Sequence, residues 1–115
     1  MVTVHSTIGT LIILGYLAAV ILYLTSGQRP SKWARYVSAG SAVLLLIQYL
    51  IGFALLGEGY GNNGWHFVLA FAALITVGLE HAVARPRGAK PAALAAAGTL
   101  VIVLLTYLIG QGTIG

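Results

Sequence analysis

"VHSTIGTLIILGYLAAVILYLTSGQRPSKWAR", residues 4–35, decides the fold class. Residues 4–24 contain no Asp, Glu, Lys or Arg, and the run stops at a polar connection that holds Gly27, Pro30, Arg29, Lys32 and Arg35. An α-helix needs about 20 apolar residues to cross a hydrocarbon core roughly 30 Å thick. Three more runs of this kind follow, at about 36–57, 65–84 and 92–110. Only 7% of the 115 residues are charged and 59% are hydrophobic, against about 25% charged in a soluble domain. Such a chain cannot cover itself with a water-compatible surface. The runs lack the two-residue alternation of membrane strands and are about twice their length, so a closed barrel is excluded. The expected architecture is an all-α membrane protein: a four-transmembrane-helix, up-down-up-down bundle forming one domain over residues 1–115. Short connections should make consecutive helices antiparallel neighbours.

The charge has a simple cause. Net charge is +4, and all six basic residues fall in two connections, Arg29/Lys32/Arg35 and Arg85/Arg87/Lys90. With four spans both connections lie on one side. The positive-inside rule makes that side cytoplasmic and puts both termini outside, in a bacterial or archaeal cell membrane. No nucleic-acid partner is expected. The first run follows Met1 without a basic leader and ends without a small-residue cleavage site, so it is expected to remain as a helix. With no cysteine in the chain, disulfides, thiolate haem ligation, covalent haem attachment and thiolate-held iron–sulfur clusters are excluded.

Helical spacing gives each run an inward stripe. These are His5, Gly9, Ile12, Tyr16, Ala19 and Tyr23 in the first, and Ser41, Leu45, Gln48, Gly52 and Leu55 in the second. The third gives His66, Ala70, Ala73, Val77 and Glu80, with His81 to one side; the fourth gives Thr99, Val103, Thr106, Gly110 and Thr113. In a membrane, polar and small residues face protein or cofactor while bulky aliphatics face lipid. The plainer reading of the small residues is close helix approach.

His5 and His66 begin the first and third runs, so both lie at the same depth. Alternate helices of a four-helix bundle face each other across a diagonal of roughly 11–14 Å, given neighbours about 8–10 Å apart. Two imidazoles reaching inward from there can take both axial positions of one haem iron. The plainer readings are a headgroup contact for His5 and, for His66, a place in the interfacial belt beside Trp65. Gly9, Ala70 and Gly52 lie near the same depth, where a flat macrocycle needs small neighbours. His81 follows His66 by about 22 Å of helix axis, where no second histidine stands. Glu80 and His81 are therefore expected to bond locally with Arg85, Arg35 or Lys32, a proton or quinone-headgroup contact being the alternative.

Three segments carry a resemblance. "VHSTIGTLIILGYLAAVILYL", "LLLIQYLIGFALLG" with its Leu-Gln-x-x-x-Gly pattern through Gln48 and Gly52, and "WHFVLAFAAL" resemble one four-helix half of the heme A synthase family. The likeness implies a haem-b-binding bundle with His5 and His66 as iron ligands and Gln48 and Gly52 in the pocket. The chain departs from the family's catalytic half at Val2 and Ser6, where an acidic residue and an arginine are usual, and lacks the outer cysteines and the second half. Those departures argue against synthase chemistry.

The expectation is thus a small b-type cytochrome with one haem b, transferring electrons rather than acting as an enzyme on its own. His5 and His66 would ligate the iron, and Gly9, Gln48, Gly52, Trp65 and Ala70 would form the pocket. Ser6, Thr7, Tyr60, Asn62, Asn63, Trp65 and Gln111 are the donors available to the propionates, since no Lys or Arg lies on that face. Membrane lipid and a membrane redox partner or quinone are the expected partners, within a larger complex or homo-oligomer. The alternative is a haem-free accessory subunit of a membrane complex. A transporter is disfavoured, because the stripes hold one carboxylate and no broken helix.

Overall fold

A computed structural model describes residues 2–59 and 64–111. It is all-helical, with four helices long and apolar enough to cross a membrane, the hallmark of an integral membrane protein. Helix α1 spans Val2–Leu24 and α2 spans Lys32–Gly57. Helix α3, Gly64–Leu79, continues through a π-helical turn, Glu80–Ala84, into a last turn, Arg85–Arg87. Helix α4 is Ala89–Gly110. The molecule measures 47 × 22 × 22 Å, so its long axis exceeds the roughly 30 Å of a hydrocarbon core.

The helices run further than the apolar runs at the basic end. Ser31 caps α2, its Oγ accepting the Ala34 N–H at 3.2 Å, and this starts the helix at Lys32 rather than near 36. Lys32 and Arg35 therefore lie in α2, Arg85 and Arg87 in the closing turn of the third span and Lys90 in α4; only Arg29 stays between helices. The expectation that all six sit in loops is corrected. A cap lets the backbone stay hydrogen-bonded into the interfacial zone, while long basic stems reach past it to water.

Gly88 alone joins the third span to α4, at φ +127°, a backbone setting that side chains rarely adopt. A Cβ there would stand 2.9 Å from the Gln28 carbonyl oxygen. That carbonyl accepts the Ala89 N–H at 2.9 Å, stitching together the two connections at this end.

The inward stripes are where periodicity put them. Gly9, Ile12, Tyr16, Ala19, Tyr23, Ser41, Leu45, Leu55, Ala73, Glu80, Thr99 and Val103 are buried, while Leu14, Leu17, Leu50, Phe71, Ile75 and Leu94 are exposed on the outer faces. The stripes missed Ala34, Ser38 and a row of buried alanines, Ala89, Ala92, Ala93 and Ala96, all at the basic end.

One pair of consecutive helices does not pack as expected. Helix α1 packs on α2 and α4, and α4 on α3, but α2 and α3 make little backbone contact. Side-chain volume explains the difference. Gly15 of α1 lies directly under Ser41 of α2, where any Cβ would collide with the Ser41 hydroxyl, whereas Leu46, Tyr49, Leu50, Phe53, Phe71 and Leu74 line the α2–α3 seam. Small residues let helix backbones approach in a membrane, and large ones hold them apart. The Tyr49 hydroxyl crosses the seam and donates to the Ala70 carbonyl.

Candidate functional site

At the end of the bundle formed by the start of α1, the start of α3 and the end of α4 lies a cavity of about 500 Å³, within the roughly 300–1,000 Å³ of cofactor and small-molecule sites. His5 and His66 both line it. Their ring centroids are 6.4 Å apart and the ring planes meet at 64°. The two histidines predicted to share a depth are thus brought together, edge towards face.

The two imidazoles are held differently. Nδ1 of His66 lies 2.9 Å from the Thr106 carbonyl oxygen. A carbonyl only accepts, so Nδ1 carries the proton and Nε2 keeps its lone pair. Gly110 makes the space for this ring: a Cβ there would stand 2.8 Å from His66 Cε1 and 2.9 Å from Nδ1. Nδ1 of His5 is buried with no hydrogen-bond partner. Gly52 faces the same ring, where a Cβ would come 3.5 Å from His5 Cε1.

Gln48 braces α1, its Nε2 donating to the His5 carbonyl at 2.6 Å; its Oε1 is buried without a partner. Gly9 admits two side chains, since a Cβ there would meet Tyr107 Cδ2 at 3.0 Å and Gln48 Nε2 at 3.3 Å. Ala70 lines the cavity and accepts the Tyr49 bond through its carbonyl. Trp65 is exposed and does not line the cavity. Of the expected propionate donors, Ser6 and Gln111 reach the cavity and bond each other, Gln111 Nε2 donating to Ser6 Oγ at 3.0 Å. Thr7 is exposed away from it. Tyr60, Asn62 and Asn63, like Thr113 of the α4 stripe, lie outside the described residues.

Sequence reasoning missed Tyr49 and Tyr107, which line the cavity beside Gln48 and Thr106. Each is the second residue of a polar-Tyr pair in an apolar run, and that pairing was the available signal. Tyr49, Phe53 and Phe71 line both the cavity and the seam groove, so the cavity opens sideways between α2 and α3.

The opposite end is a closed polar cluster. Glu80 is fully buried. Its Oε2 accepts the Tyr23 hydroxyl at 2.6 Å and the Ser38 hydroxyl, and lies 3.7 Å from Arg85 Nε. Arg85 Nε donates to Tyr23 Oη and its Nη2 to the Arg35 carbonyl, both at 2.9 Å. Arg85 is thus the partner, among the three cations considered, that Glu80 meets.

Among the described residues no three His, Cys, Asp or Glu side chains gather to hold a metal ion. The imidazoles that line the cavity are those of His5 and His66. No family model matches the chain, and neither a curated protein nor a solved structure is significantly similar to it.

Proposed function

We propose that the chain is a small integral-membrane b-type cytochrome in which His5 and His66 hold one haem b between them. The carrying observation is the opposed imidazole pair, 6.4 Å between ring centres. A pair of imidazoles without a third protein ligand suits a metal whose remaining ligands come from a macrocycle. The donor chemistry fits as well: His66 is fixed in the tautomer that presents Nε2, and Gly52 and Gly110 leave room for the rings. Bound haem would supply one-electron transfer.

The protein's own contribution is positional. Thr106 orients His66, Gln48 ties the His5 backbone to α2, and Ser6 and Gln111 offer hydrogen bonds at the rim. The apolar remainder of the wall excludes water and so tunes the reduction potential. In this reading the bundle is up-down-up-down, the basic end is cytoplasmic by the positive-inside rule, and both termini and the cavity lie at the outer face. Electrons pass to a membrane redox partner or quinone, within a larger complex or homo-oligomer. The resemblance proposed to a heme A synthase half would imply the same ligand pair.

The open α2–α3 seam favours a second reading, a haem-free accessory subunit whose seam receives a helix of a larger complex. Oxidised and dithionite-reduced spectra of the detergent-purified chain, expressed with ample haem, separate the two. The cytochrome gives a sharp reduced α-band of the bis-histidine type, lost or converted in both His5→Ala and His66→Ala. A colourless native protein after haem reconstitution overturns it.

A further inference from the structure

We propose that Glu80 and His81 form a proton-binding pair at the basic end of the bundle, with His81 passing the proton between Glu80 and the water at that face. This inference does not depend on haem. Glu80 is fully buried and is one of only two acidic residues in the chain. All its bonds converge on one oxygen: Oε2 takes the Tyr23 and Ser38 hydroxyls and faces Arg85, whereas Oε1 is buried without any partner. An arginine that holds a carboxylate as a fixed anion often forks across both oxygens. Arg85 offers no such fork, because its Nε and Nη2 bonds go to Tyr23 Oη and the Arg35 carbonyl.

His81 supplies the connection. Its Nδ1 lies 2.9 Å from the Val77 carbonyl, which fixes the proton there and leaves Nε2 as an acceptor. That Nε2 is buried, lacks a hydrogen-bond partner and faces Glu80 Oε2 at 4.0 Å. The His81 side chain is 29% exposed, so one imidazole reaches from the surface to the carboxyl group. Transfer breaks an O–H bond at Glu80 as an N–H bond forms at His81 Nε2; water at the exposed edge of the imidazolium then takes one proton, breaking an N–H bond, and the reverse sequence reloads Glu80.

The backbone makes room for this pair. Pro86 cannot donate to the residue four before it and its ring crowds that carbonyl. The helix widens into a π-turn over Glu80–Ala84, closed by Arg85 N–H on the Glu80 carbonyl. Such turns occur often at functional sites. The groups facing Glu80 are Tyr16 and Tyr23 from α1, Ser38 from α2, and His81 and Arg85 from its own span, Arg85 being held in turn by the Arg35 carbonyl. The opening turns of α4 bury only alanines at this end. A metal cation is a poor occupant, since Arg85 already brings positive charge and three ligating side chains are lacking among the described residues.

Infrared spectroscopy of the detergent-held full chain, with ¹³C-carboxyl glutamate, tests the proposal cleanly because only Glu58 and Glu80 carry the label. In Glu58→Gln, where Glu80 alone remains, a labelled carboxylic-acid C=O band should grow and fade reversibly with pH while the helices stay intact. It should vanish when Glu80→Gln is added. His81→Phe should slow hydrogen–deuterium exchange of that band at least tenfold. A labelled carboxylate band alone at every pH would make Glu80 a fixed counter-ion and overturn the proposal, with no need for the Glu80 variant to fold. Unchanged exchange in His81→Phe would remove His81 from the path and overturn it equally.

Discussion

At the His5/His66 end, Gly9, Gly52 and Gly110 each face a side chain, and the helices part between α2 and α3 to leave a cavity. At the Glu80 end, alanines line the start of α4, and one carboxylate oxygen gathers hydroxyls from α1 and α2 beside Arg85. Both ends join the same helices, yet one spends its small residues on room and the other on contact. Within a membrane, lipid is as apolar as the side chains it meets, so packing and polar bonds must supply helix association. The Glu80 cluster is therefore expected to hold the bundle closed, which leaves the other end free to part around a ligand.

The largest expected effect comes from removing that clasp. Glu80→Ala leaves the Tyr23 and Ser38 hydroxyls without their acceptor and, at a pH where Glu80 is ionised, Arg85 without its counter-charge. Removing one partner of a buried ion pair costs about 3–5 kcal/mol. Glu80→Gln keeps an acceptor oxygen and should cost less than half as much. SDS-titrated unfolding of the two variants measures this. If Glu80→Ala costs under about 1 kcal/mol, the range of an exposed pair, the two ends do not divide the work as described.

Gly110→Ala addresses the cavity end with a smaller effect on the fold. The new methyl group would lie within 3 Å of two His66 ring atoms, so the ring must shift, which strains its bond to the Thr106 carbonyl. Overpacking of this kind costs about 1–3 kcal/mol, partly offset by the helix preference of alanine over glycine. Haem retained per protein, read from Soret absorbance, should fall at least tenfold. Full retention would mean that the position of His66 does not govern binding.

How much of this was readable in the sequence follows from what periodicity encodes. A 3.6-residue repeat fixes which residues share a face, so the stripes through Tyr16, Leu45, Ala73 and Val103 were legible, as was the common depth of His5 and His66. Contacts between faces were not. The α2–α3 seam depends on Phe53, Leu50 and Phe71 meeting across it, and in each run alone these read only as lipid-facing bulk. Gly110 was legible as a small inward residue, but which ring needs its space is set by the relative height of α3 and α4. The π-turn was hidden for another reason: Pro86 reads as a helix stop, while the chain here widens and continues. Trp65 was placed by its neighbour His66, yet adjacent residues on a helix point about 100° apart, and it faces outward.

The smallest structural effect belongs to Gly52→Ala, and it makes the sharpest comparison. A Cβ there would meet His5 Cε1 at 3.5 Å, an ordinary contact, and alanine is favoured over glycine in a helix interior by about 0.8–1.0 kcal/mol. Judged by the fold alone, the variant should be unchanged or slightly more stable. Gly52 nevertheless lines the cavity beside His5, and a methyl group added there takes space on the ligand's side. Unfolding and haem retention, measured on the same preparation, should therefore part company: equal or higher stability with retention reduced severalfold. Such a split separates a glycine kept for a ligand from one kept for helix contact. If both quantities hold steady, Gly52 serves only to seat the His5 ring, and room for the cofactor comes from the Gly110 side and the open seam.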